Sequence, residues 1–165
     1  MNAGQFIQWQ DLFVLVDDGT ISVSRYAPVE SSLREQAKAF PNGISLLCIL
    51  PPEAKPPPDD VKRSVKSALT RVASLISCLA YVIEGSGFKA VAARATLVGM
   101  KIFSSRPYPI YVETSVREAL GKVVSHMANG HMLSLEILMK TIADARSNLR
   151  IPPSERPRDH ELSAK

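Results

Sequence analysis

The residues that could do chemistry in this chain are few and far apart. Its histidines are His126, His131 and His160. The first two are five apart across an expected turn, and no Cys-x-x-Cys, no His-Glu-x-x-His and no acidic pair accompanies them, so no metal-ligand set is assembled. Cys48 and Cys78 lie inside apolar runs and read as buried, reduced side chains rather than as ligands or nucleophiles. There is no Gly-x-Ser-x-Gly elbow and no phosphate loop ending in Gly-Lys-Ser/Thr, which leaves acyl transfer and nucleotide hydrolysis without a motif. No catalytic residue, metal or cofactor is therefore assigned, and the chain reads as a non-enzyme.

Two other features can bind. Gly85-Ser86-Gly87 follows an apolar run and opens a helix, a place from which backbone amides can hold an anion. Its competing reading is a tight turn that needs glycine's backbone freedom. Charged residues form the second feature. Lys55, Asp59 and Asp60 sit in a proline-rich stretch, Lys62, Arg63 and Lys66 share a helix face with Arg71, and Arg94 and Lys101 lie seven apart on another helix. These are the candidate partner-binding residues. Against that stands the reading of a solvated basic face and of a solvent-facing rim on an otherwise buried helix.

These side chains need elements to hold them. Leu12 to Val16 is an apolar run followed by Asp17-Asp18-Gly19 and then Thr20 to Tyr26, where apolar and polar residues alternate, so a hairpin is expected there. Trp9 is placed over one end of the sheet. Pro28 and Ser31-Ser32 introduce a short helix that turns Val29, Leu33, Ala37 and Phe40 inward and Arg34, Glu35 and Lys38 to water. Ile44 to Leu50 suits a central strand covered on both faces. Pro51 to Asp60 carries five prolines and reads as a stiff loop, after which Pro58-Asp59-Asp60 opens a helix with Val61, Val65, Leu69, Val72 and Ile76 as its buried stripe.

The stretch Cys78 to Val112 then gives a strand to Ile83, a helix from Phe88 to Phe103 and a second strand from Ile110. Ser115-Val116-Arg117-Glu118 has capping-box spacing and starts a helix with Ala119, Leu120, Val123, Val124 and Met127 inward, stopped by Asn129-Gly130. A last helix, about His131 to Asn148, turns Leu135, Leu138, Met139 and Ile142 to one side. The expected organisation is an α/β domain over 1–128, an added C-terminal helix over 129–149 that packs on the domain or on a second subunit, and a mobile tail over 150–165. Alternating strands and helices imply a mixed, mostly parallel sheet of about five strands with covering helices.

The chain has 165 residues and a formal net charge of +4. That suits one core and is too small a charge to imply nucleic acid. Nucleic-acid binding is disfavoured further because Phe13, Tyr81, Phe88 and Tyr111 fall in elements that read as core. Met1 to Gln10 has no basic segment leading into an apolar one, and no run reaches the ~20 apolar residues of a membrane helix, so a cytoplasmic protein without a membrane span is expected.

The element order, the run from Gly85 to Val112 with Arg106-Pro107 before the last strand, and the Ser115-Val116-Arg117-Glu118-Ala119-Leu120 box carry a resemblance. Over about Leu12 to Met127 the chain resembles bacterial STAS-domain proteins, the fold of the sporulation anti-anti-sigma factor. That resemblance implies a noncatalytic signalling module that binds another protein, such as a regulator, kinase or effector, and it allows nucleotide or lipid binding. It also implies a phosphorylated serine or threonine between the third strand and the next helix. Here Pro51 to Asp60 fills that place, and no hydroxyl occurs before Ser64. The expected function is therefore a regulatory interaction module without the serine switch, meeting another protein or a second copy of itself. The alternative is a small-ligand domain for a nucleotide or lipid.

Overall fold

Asp11 marks where the chain first turns back. In the computed structural model, which describes residues 5–19, 23–53, 58–102, 106–128 and 134–149, β1 (Gln5–Trp9) runs antiparallel to β2 (Leu12–Val16) around Gln10-Asp11. Gln10 takes the left-handed conformation at φ 52° that so tight a reversal needs. The hairpin thus precedes the one expected from the sequence. Val23–Arg25 forms a turn of 3-10 helix and Tyr26 opens α1 (Tyr26–Ala39), so Val23 to Tyr26 is not part of the expected strand; Thr20, Ile21 and Ser22 lie outside the described residues. Asp17-Asp18-Gly19 is still a turn, with the Asp17 carboxylate accepting the Gly19 amide at 2.7 Å and Gly19 at φ 81°. It sends the chain into a crossover instead of back along the sheet.

The remaining elements are β3 (Ile44–Leu50), α2 (Asp59–Arg71), β4 (Ile76–Ile83), α3 (Phe88–Ile102), β5 (Ile110–Glu113), α4 (Val116–Val124) and α5 (Leu135–Asn148). Ile76, expected to end the α2 stripe, is the first residue of β4, because the helix stops at Arg71 and a 3-10 turn over Ala73–Leu75 intervenes. The last helix starts at Leu135 rather than His131, where Ser134 accepts the Ile137 amide as its cap. His131, the Asn129-Gly130 stop, and the tail over 150–165 lie outside the described residues.

The strands lie in the order β1-β2-β3-β4-β5, with one antiparallel pair and three parallel ones. The protein is thus α/β with a mixed, mostly parallel five-stranded sheet. Three successive crossovers step in one direction along the sheet, and right-handed connections place α1, α2 and α3 on one face. On that face Phe13, Leu46, Cys48 and Leu79 meet Leu33 of α1 and Val72 after α2, with Val29, Ala37, Phe40 and Leu69 packed against them. Leu12, Val14, Leu47, Cys78, Ala80 and Val82 point the other way, into a second cluster with Ala119, Leu120 and Val123 of α4 and Leu138, Ile142 and Ala145 of α5. The added C-terminal helix covers its apolar side on its own domain.

Polar ties lock these layers. Glu30 of α1 receives Arg34 at 3.0 Å and Arg71 of α2 at 2.7 Å, and Arg34 also donates to the Arg71 carbonyl. Ser115 accepts the Glu118 amide as the expected helix cap, and the Thr114 hydroxyl donates to the Glu118 carboxylate. Gln36 of α1 is buried and donates to the carbonyls of Gln10 and Leu12, binding the helix to the hairpin.

Candidate functional site

The helix α3 is where sequence and burial disagree. Its residues are apolar nearly all round, a pattern that ordinarily marks a helix enclosed by protein. Yet of its described side chains only Ala90 is buried, and none belongs to either hydrophobic cluster. Phe88 is 87 % exposed, Val91 49 % and Val98 42 %. Phe88, read from sequence as core, is therefore a surface residue. The expectation of a mostly buried helix with a basic rim is likewise reversed. Periodicity could not reveal this, since a helix without a polar face gives no direction to bury.

Arg94 is engaged within the chain. Its guanidinium donates to the carbonyls of Ile83 at 2.7 Å and Gly85 at 2.8 Å, so it fastens the end of β4 to the first turns of α3. The side chain of Lys101 lies outside the described residues, as does all of Lys55. Asp59 and Asp60 stand in the first turn of α2, where the helix dipole favours them, and Lys62 pairs with Asp59 at 2.9 Å. Arg63 and Lys66 are exposed on the same helix. The structure thus spreads the expected charged residues over two helices and turns Arg94 inward.

Gly85-Ser86-Gly87 takes the strand-to-helix position expected of it. Gly85 sits at φ 99°, a left-handed backbone conformation that side chains rarely adopt, so glycine's freedom is needed at that residue even though a side chain there would make only ordinary contact with Pro52 and Ala90. The turn is accounted for by geometry, with Arg94 bound to it from below.

Among the described residues, burial shifts the thiols and one phenol of the interior. Burial, with Asp17 adding to it, pushes the Cys48 thiol up to about 12. Burial also raises Cys78, against hydrogen bonds from Ser45 and Ser77, and raises the Tyr108 phenol. Thiols held this way stay protonated and inert. Among the described residues no three His, Cys, Asp or Glu side chains come together so as to hold a metal ion, and no helix is long and apolar enough to cross a membrane. Three contacts had no signal in the sequence. His126 meets the Tyr111 hydroxyl at 2.8 Å, and Arg106 reaches back to Thr70 and to the Lys66 carbonyl, so the Arg-Pro pair before β5 braces α2.

Compared with protein-family models, curated proteins and solved structures, the chain matches none.

Proposed function

We propose that this chain is a noncatalytic, STAS-like regulatory module that works by contact with another protein and lacks a serine switch. The observation that carries this reading is α3: an apolar helix left outside both cores, with Phe88, Val91 and Val98 in water. Exposed apolar side chains grouped on one element mark interaction sites in soluble proteins. The element order supports it: two strands, three helix-strand units and α4 are what the STAS resemblance implies, with α5 as the added helix. The first hydroxyl after β3 is Ser64, which sits half-buried within α2, so the place of the family's switch offers no acceptor among the residues before it.

A photo-crosslinking amino acid tests this directly. Placed at Val98 it should trap a discrete protein adduct in cells or lysate, whereas the same group at exposed Lys38 of α1 should not. Equal labelling from both positions, or none from either, would overturn the reading.

A further inference from the structure

We propose that the α3 face is closed by a second copy of this chain, which pairs its β5 edge antiparallel with this one and packs its α3 against this α3 across a two-fold axis. The inference rests on the interaction-module reading and names the partner at that same helix.

The edge comes first. No described strand pairs with the outer side of β5. The Leu79 amide donates to the Pro109 carbonyl, and Tyr111 stands beside Ala80 in parallel register. In a parallel ladder alternate residues face the neighbour, so Pro109, Tyr111 and Glu113 turn their backbone toward β4 while Ile110 and Val112 present theirs outward. An edge of this kind is a template for another strand.

The flank of α3 lies over that edge. With Ala90 and Arg94 against the sheet, the ~100° step of a right-handed helix running antiparallel to the strands brings Val91, Ala95 and Val98 round to the side beyond β5. Lys89 and Thr96 fall on the side of α2. The burial agrees: Ala93 and Leu97, on the inner flank, are half-buried, while Val91 and Val98 are open. Arg94 reaches the Ile83 carbonyl near the top of β4, and Tyr111 is level with Ala80, three residues below Ile83. Ala95 and Val98 therefore descend toward the level of Tyr111.

Distances then select the occupant. Strands lie ~4.8 Å apart, and α3 rides over both β4 and β5. A two-fold axis on the open side of β5 sets α3 and its copy two strand spacings apart, about 9.6 Å, within the 8–10 Å at which helices pack. An isolated extended peptide would pair with the edge but bring no helix to cover Val91 and Val98. Charge permits the approach, since Lys89 faces α2, Arg94 is bound to carbonyls, and no acid or base lies on the flank among the described side chains. In the register centred on Tyr111, Ile110 and Val112 exchange main-chain hydrogen bonds with Val112 and Ile110 of the second copy, and Glu113 falls opposite Pro109 rather than opposite another carboxylate. A four-residue edge and one helix flank make a contact smaller than the ~800 Å² per partner of a standard interface, so the dimer is reversible and concentration-dependent.

Sedimentation velocity over about 1 to 300 µM should show wild-type monomer and dimer in exchange, with a midpoint on the order of tens of µM. Val98→Glu and Val112→Pro should each weaken the dimer at least ~10-fold, the first by putting charge on the flank, the second by removing an outward donor without touching the β4 ladder. Val98→Glu changes an exposed helix position and keeps the test readable should the proline disturb β5. Tyr111→Cys should give an oxidised, native-like covalent dimer, because residues opposite each other at a non-hydrogen-bonded antiparallel position bring their Cα atoms to ~4.5 Å. A dimer indifferent to both Val98→Glu and Val112→Pro would overturn the proposal. So would a wild type monomeric throughout; if Val98 crosslinks nonetheless trapped a different protein, the interaction-module reading would stand alone, and if they trapped nothing, both would fall.

Discussion

Asp11 is 3 % exposed, yet one of its carboxylate oxygens accepts the Ala128 amide at 2.7 Å and its carbonyl accepts the Ser45 amide at 2.7 Å. One side chain in the first turn thus fastens the end of α4 to the hairpin, while its backbone holds β3. Asp11→Ala leaves the Ala128 amide without its acceptor and should cost about 1–3 kcal/mol in urea unfolding. Asp11→Asn keeps an acceptor oxygen and should recover part of that; an alanine variant as stable as wild type would refute the anchoring role. The cysteines give a second prediction at this scale. With the Cys48 thiol pushed up to about 12 and Cys78 raised by burial, neither should alkylate in the native protein near pH 8, and both should react on unfolding. Labelling of the native protein at the rate of a free thiol would contradict the burial described. Single residues are legible where they sit in apolar runs, as both cysteines do. Phe88 is not, because an apolar side chain on a helix that is apolar all round carries no mark of whether anything covers it.

Among the elements, α1 and α2 are joined by Glu30, whose carboxyl Arg71 and then Arg34 hold down from 4.5 to about 2. A depressed carboxyl contributes stability only while ionised, so this contribution is complete above pH 4.5 and is lost as pH falls toward about 2. Glu30→Gln should be less stable than wild type near neutrality by roughly 0.5–1 kcal/mol, the range for solvent-facing pairs that form a network. The difference in urea midpoint between the two proteins should shrink between pH 4.5 and about 2; a constant difference across that window would show that the ion pairs contribute nothing. Elements are legible wherever a local signal stands alone: the Ser115 cap, the Asp-rich start of α2 and the apolar β3 all appear in place. The first hairpin is displaced because Asp17-Asp18-Gly19 announces a turn but not the kind of element beyond it. The alternation from Thr20 to Tyr26 then looks like a strand, although Val23 to Tyr26 is helical and the sheet partner, Gln5–Trp9, comes earlier.

At the scale of the molecule, the single-direction winding of the sheet decides which helices are secure. α1 and α2 lie above the middle of the sheet, α4 and α5 fill the opposite face, and α3, the last of the crossovers, is left beside the free edge of β5. The same topology that buries the centre leaves an apolar helix beside a strand whose outer side no described strand pairs, which is why the candidate site is an edge and not a cleft. α5 is the contrasting case. Amphipathic spacing marks it as needing cover, and its own domain supplies that cover: Leu138 and Ile142 are buried against β2 and α4. Removing residues 134–165 would therefore expose the sheet face under Leu12 and Val14 and withdraw two large side chains from the core. At about 1.5–3 kcal/mol for each buried aliphatic side chain, the loss approaches the 5–15 kcal/mol that stabilises a whole domain. The truncated protein should lose its cooperative thermal transition and bind a hydrophobic dye, whereas Val98→Glu, placed on the exposed helix, should melt as wild-type monomer does. A truncation that kept a sharp transition would separate α5 from the core and make it a further surface open to a partner.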